Sequence, residues 1–108
     1  MVSVNNIIEE GRQLPDYEMV LIISPEVAEE DIEAAVGKVN RFITEKGGTI
    51  SDTEQWGKRR LAYPIKHFTD GRYFLIKFNM EPAFGRELEA SLKISEEVLR
   101  HLLIKSES

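Results

Sequence analysis

The sequence predicts one α+β domain in the order strand, helix, strand, strand, helix, strand (βαββαβ), a four-stranded antiparallel sheet with two helices packed on one face. Three observations predict it. Two stretches carry apolar residues at the 3.6-residue helical period, and four others are runs rich in β-branched and aromatic residues. The order in which they alternate is what two right-handed strand–helix–strand crossovers produce. The 108 residues, 42% hydrophobic and 31% charged, supply one core and not two.

Residues 1–15 read as a flexible N-terminal extension, since Gly11 and Pro15 set Val4-Asn5-Asn6-Ile7-Ile8 apart from the body and no capping pattern supports a helix. The domain proper spans 16–105, and 106–108 form a short tail. Tyr17-Glu18-Met19-Val20-Leu21-Ile22-Ile23 is the first strand, apolar at both parities and therefore expected to be covered on both faces. Ser24 offers an N-cap and Pro25 suits the first helical position. Val27, Ala28, Ile32, Ala35, Val36, Val39, Phe42 and Ile43 then make a helical stripe that Gly47-Gly48 ends. Residues 49–66 form a long second strand with a bulge expected at Gly57. Asp70-Gly71 signals the hairpin turn, and 72–80 form the third strand. Glu81-Pro82 opens a shorter helix burying Phe84, Leu88 and Leu92, and 98–105 form the last strand, again apolar at both parities. The first and last strands are expected at the centre of the sheet. An apolar sheet face without a helix over it is a binding surface, unless the N-terminal arm covers it.

The composition excludes several kinds of chemistry. Without cysteine there is no disulfide framework, thiol nucleophile or cysteine-ligated zinc. No apolar run approaches the roughly 20 residues of a membrane helix, and the N-terminal stretch lacks a signal-peptide pattern, so the expected compartment is the cytosol. His67 falls in the predicted turn and His101 in the last strand, isolated from any carboxylate pattern that would make a metal site or a proton relay. Gly47-Gly48 follows a helix, whereas phosphate-cradling loops precede one. No catalytic residue, metal ligand, cofactor or small-molecule substrate is expected.

Charge is divided unevenly. The formal net charge is −5, yet residues 1–55 carry 12 acidic and 4 basic groups while residues 56–108 carry 7 acidic and 10 basic. Between Trp56 and Arg72 stand Lys58, Arg59, Arg60, Lys66 and Arg72 against Asp70 alone. A local field of one sign counts for more in binding than the sum over the chain. On a regular pleat Lys58 and Arg60 share one face, while Arg59 points with Leu61 and Tyr63. That arrangement suits a grip on a phosphate backbone, because the arginine fork bonds phosphate oxygens in pairs. It equally suits an edge strand armed with charge against aggregation. Gly71-Arg72-Tyr73-Phe74-Leu75 matches the third-strand signature of the RNA-recognition motif too poorly to imply base stacking on the sheet.

Trp56-Gly57-Lys58-Arg59-Arg60-Leu61-Ala62-Tyr63-Pro64-Ile65 closely resembles the signature of the bacterial small-subunit ribosomal protein six family. The resemblance extends to Tyr17-Glu18, Tyr73-Phe74-Leu75 and Val98-Leu99-Arg100, and covers residues 16–105. It implies a ferredoxin-like fold and a structural role in the small ribosomal subunit. It also implies two partners, small-subunit ribosomal RNA and small-subunit ribosomal protein eighteen, a basic protein expected on the helix-free sheet face. Carried over to matching positions, RNA contact falls on Lys58, Arg59 and Arg60, and further on Arg100 and Lys105. Trp56 and Tyr63 are assigned to packing or to the protein partner. The chain departs from the family at Leu14-Pro15-Asp16, where a basic residue is usual before the tyrosine. The competing reading is a dimeric ferredoxin-like metabolite sensor or small enzyme, which explains the two-sided strands but not the cationic run.

Overall fold

A computed structural model describes the backbone of residues 7–9 and 12–106 and the side chains of residues 14–106. The elements are β1 (Ile7–Glu9), β2 (Arg12–Gln13), β3 (Asp16–Ile23), α1 (Glu29–Glu45), β4 (Thr49–Ile65), β5 (Phe68–Asn79), α2 (Gly85–Lys93) and β6 (Val98–Lys105), with a 3-10 turn over Pro82–Phe84 before α2. The main sheet is antiparallel in the order β4-β5-β3-β6. β1 and β2 pair with each other outside it. Most of the 1–15 extension, and the end of the tail at 107–108, lie outside the described residues.

Alternation along the strands sends one parity into the core. Met19, Leu21 and Ile23 of β3 and Phe74, Ile76 and Phe78 of β5 meet Ile32, Ala35, Val39 and Ile43 of α1 and Leu88 and Leu92 of α2. Fully burying such a side chain is worth about 1.5–3 kcal/mol relative to leaving it in water. Both helices therefore cover the face that these residues share.

Three local expectations are corrected. Ser24 does not cap α1: its N–H donates to the Glu97 carbonyl at 3.0 Å, and its hydroxyl accepts the N–H of Glu26 at 3.3 Å. That local turn consumes the serine, and the helix starts four residues later, after Ala28, with Glu29, Glu30 and Asp31 meeting the positive end of its dipole. The hairpin does not turn at Asp70-Gly71. It turns at Lys66-His67, whose φ values are +50° and +73°, the pair of left-handed conformations of a two-residue type I′ turn. Gly71 instead sits inside β5, where a Cβ would stand 2.7 Å from Ile22 Cγ2, so the glycine admits a neighbour and does not bend the chain. The third correction concerns β6, which is an edge strand; β5 and β3 are central. Its second apolar parity reflects exposure on the helix-free face, where Leu102 and Ile104 are 40% and 52% exposed.

Candidate nucleic-acid interface

The ladder registers define the open face row by row. Val20 lies between Leu75 and Leu102, Ile22 between Tyr73 and Arg100, and Glu18 between Lys77 and Ile104. This face is only partly bare. Ile22, Leu75 and Leu61 are buried although none belongs to the core cluster beneath the helices. The Tyr63 hydroxyl of β4 accepts a hydrogen bond from Arg100 of β6, joining the two opposite edges of the sheet. The far end of the β4–β5 hairpin therefore curls over one end of the open face and leaves Leu102 and Ile104 uncovered at the other.

The cationic trio sits where β4 runs past the end of β3. Lys58 is opposite Arg72, itself the partner of Ile23, and Arg59 and Arg60 are opposite Gly71 and Asp70 on the free ribbon beyond. The ladder resumes after the break at Gln55/Gly57, where Gly57 has φ +83°; the expected bulge is present. Lys58 and Arg60 consequently share the helix-side face with Arg72 and Asp70, while Arg59 belongs to the open face, the division a regular pleat predicts.

Little neutralises these charges. Lys58 Nζ is 3.9 Å from Asp70 Oδ2, an exposed pair of a kind worth about 0–1 kcal/mol. Arg59 Nε donates to the Trp56 carbonyl at 3.4 Å, and its guanidinium carbon lies 5.2 Å from the centre of the Trp56 ring. Both partners are uncharged, so the full positive charge remains. Trp56 is oriented in turn by its Nε1–H, which donates to Glu54 at 2.9 Å, and Glu54 is 3.8 Å from Lys77. No ion pair to Arg60 occurs among the described residues. The trio, Thr69 and Asp70 line a recess of about 400 Å³, with three cations facing one carboxylate. Trp56, against Arg59, and Tyr63, against Arg100, are 37% and 54% exposed.

Arg72, unlike Arg59 and Arg60, has a carboxylate partner. Its Nη1 reaches both carboxylate oxygens of Glu29 at 3.0 Å, tying β5 to the first turn of α1. Counting cations along the sequence could not separate this arginine from its neighbours, because Glu29 is distant in the chain. Arg100 comes near Tyr63, on the open face with Arg59. Lys105 does not join the others: it pairs with Tyr17 at the far end of β6, on the opposite edge strand from the trio. His67 is exposed at the turn, and His101 is packed, with Nε2 3.3 Å from Glu89 of α2. A second recess of about 240 Å³, between the hairpin turn, the end of α2 and the start of β6, is lined by Lys66, Lys93, Arg100 and His101 among others.

A sheet of this order with two helices on one side recurs in a known family. The profile of the family described as ribosomal protein S6 matches residues 16–105. The chain belongs to the ribosomal protein S6 family. It is 40% identical over 92 residues to the small ribosomal subunit protein bS6 of Moorella thermoacetica, covering 85% of this chain and 94% of that one. It is 41% identical over 90 residues to the bS6 protein of Desulforamulus reducens, covering 83% and 95%. The crystal structure of the 30S ribosomal protein S6 from Thermotoga maritima superimposes with a TM-score of 0.82 at 34% identity, covering 87% of this chain and 89% of that chain. The fold is thus ferredoxin-like, as the resemblance in the sequence implies. S6-family membership makes the chain a non-enzymatic small-subunit ribosomal protein, which removes the reading as a metabolite sensor or small enzyme.

Proposed function

We propose that this protein works at the ribosome in the cytoplasm, binding small-subunit ribosomal RNA jointly with small-subunit ribosomal protein eighteen. One observation carries the reading: Lys58, Arg59 and Arg60 stand exposed on the hairpin with almost no internal charge compensation, beside a sheet face left partly bare. An edge strand armed only against aggregation needs charge, but has no use for an arginine held on a tryptophan ring by a carbonyl. The trio contacts phosphates, Arg100 extends the contact on the open face, and Lys105 supplies a separate contact from the other edge. Leu102 and Ile104 receive the protein partner, with Trp56 and Tyr63 at its margin. The acidic surplus of residues 1–55 favours a basic partner of this kind.

Neutralising about three phosphates gives a log–log salt dependence of roughly −2 to −3. Replacing Lys58, Arg59 and Arg60 together by alanine is expected to weaken RNA binding of the two-protein complex and flatten that slope, with the circular dichroism spectrum unchanged. Undiminished affinity at low salt overturns the assignment. Titration calorimetry against ribosomal protein eighteen is expected to show a negative heat-capacity change from apolar burial. Absence of binding at micromolar concentration counts against the shared sheet face.

A further inference from the structure

We propose that the groove between the hairpin turn, the end of α2 and the start of β6 is a second phosphate site, gripping the RNA backbone at a point distinct from the Lys58–Arg60 recess. The proposal rests on the RNA-binding reading above and adds Lys66 and Lys93 to it. The groove, about 240 Å³, is walled by Leu92, Val98 and Leu99, and its polar lining is Lys66, Lys93, Arg100 and His101, without a carboxylate. Among the described residues no acidic oxygen lies within 4.0 Å of Lys66, Lys93 or Arg100. The Tyr63 hydroxyl holds Arg100 without cancelling its charge. Glu89 of α2, outside the lining, lies 3.3 Å from His101 Nε2, so three permanent cations stand in the groove against one nearby carboxylate.

The turn supplies an independent observation. Both of its central residues have positive φ, +50° at Lys66 and +73° at His67, where asparagine and glycine fit with least strain. A lysine and a histidine held there cost backbone energy, and residues kept in disfavoured conformations cluster at functional positions. The left-handed turn delivers a cation to the groove. Lys93 also offsets the negative end of the α2 dipole, which would otherwise repel an anion. The hairpin contributes to both sites, and along β4 its two contributions are separated by the stretch from Arg60 to Lys66, at most about 20 Å at 3.3 Å per residue. Two carboxylate-poor clusters of cations, bridged by one hairpin, suit a polyanion with regularly spaced charges, hence RNA, better than a lone acidic side chain of a protein.

The test compares Lys66→Asn/Lys93→Ala with the alanine triple variant at Lys58, Arg59 and Arg60. The readout is binding of transcribed small-subunit ribosomal RNA by the complex with ribosomal protein eighteen, across a salt series. Asparagine at position 66 tolerates the left-handed turn, so the double variant retains its fold. Its affinity is expected to drop about tenfold and its salt slope to flatten by about 1.5, the share of two phosphates. Lys66→Arg/Lys93→Arg is expected to restore both. If the double variant binds RNA with unchanged affinity and slope while the triple variant is weakened, the second site is refuted and the first stands. If neither variant loses affinity, the RNA reading itself falls. If the double variant instead loses affinity for ribosomal protein eighteen in the absence of RNA, the groove is a protein contact and the proposal is overturned.

Discussion

At Gly71 the absence of a methyl group decides how closely two strands approach. A Cβ there would stand 2.7 Å from Ile22 Cγ2 and 3.3 Å from the Ile23 carbonyl, and overpacking of this kind costs about 1–3 kcal/mol. Gly71→Ala is expected to lower the urea midpoint accordingly. Glu97 offers a titration that reads local structure. The Ser95 hydroxyl donates to its carboxylate at 2.7 Å and, with a backbone hydrogen bond and Lys38 contributing less, holds its pKa below the ordinary glutamate value. A depressed pKa means that the contribution to stability is present above the unfolded-state pKa and is lost as pH falls through the folded-state value. Ser95→Ala is expected to move the carboxyl resonance of Glu97 back toward the ordinary midpoint in an NMR titration. An unmoved midpoint would assign the depression to the weaker causes.

The β4–β5 hairpin joins fold and site most directly. Its bulge at Gly57 sets which cations face which side, and its turn at Lys66-His67 sets how far the ribbon reaches. Lys66→Asn/His67→Gly relieves both left-handed residues and is expected to stabilise the protein by about 1–2 kcal/mol in urea unfolding. A neutral or destabilising result would show that the turn is not under strain. The sheet beneath the helices behaves as a packed core: Ile76, fully buried on β5, is expected to lose about 2–5 kcal/mol on replacement by alanine. By contrast, the exposed Lys58–Asp70 pair is expected to contribute at most about 1 kcal/mol, and Asp70→Asn to leave thermal unfolding nearly unchanged.

Across the whole molecule, charge and apolar surface are sorted to different places. α1 opens with Glu29, Glu30 and Asp31, while the cations of the hairpin gather beyond the end of β3. One face of the sheet is sealed by α1 and α2; the other is closed by the hairpin near Ile22 and Leu61, and remains open at Leu102 and Ile104. Leu102→Asp is expected to leave the fold intact, because the side chain is outside the core, and to abolish heat release against ribosomal protein eighteen. Retained heat release would move the partner surface elsewhere.

The order of elements, the two helical stripes, the bulge and the cationic run could be read in the sequence without coordinates, because each is a pattern of residues that are adjacent or a few positions apart. The family could also be read there, since Trp56 to Ile65 is one contiguous stretch. Which strand ended at the edge, which arginine was engaged by Glu29, and where the hairpin turned were decided only by the tertiary structure. Each depends on residues far apart in the chain: Gly71 looks like a turn until Ile22 is beside it, and Lys66 looks like a solvated lysine until α2 and β6 close a groove around it.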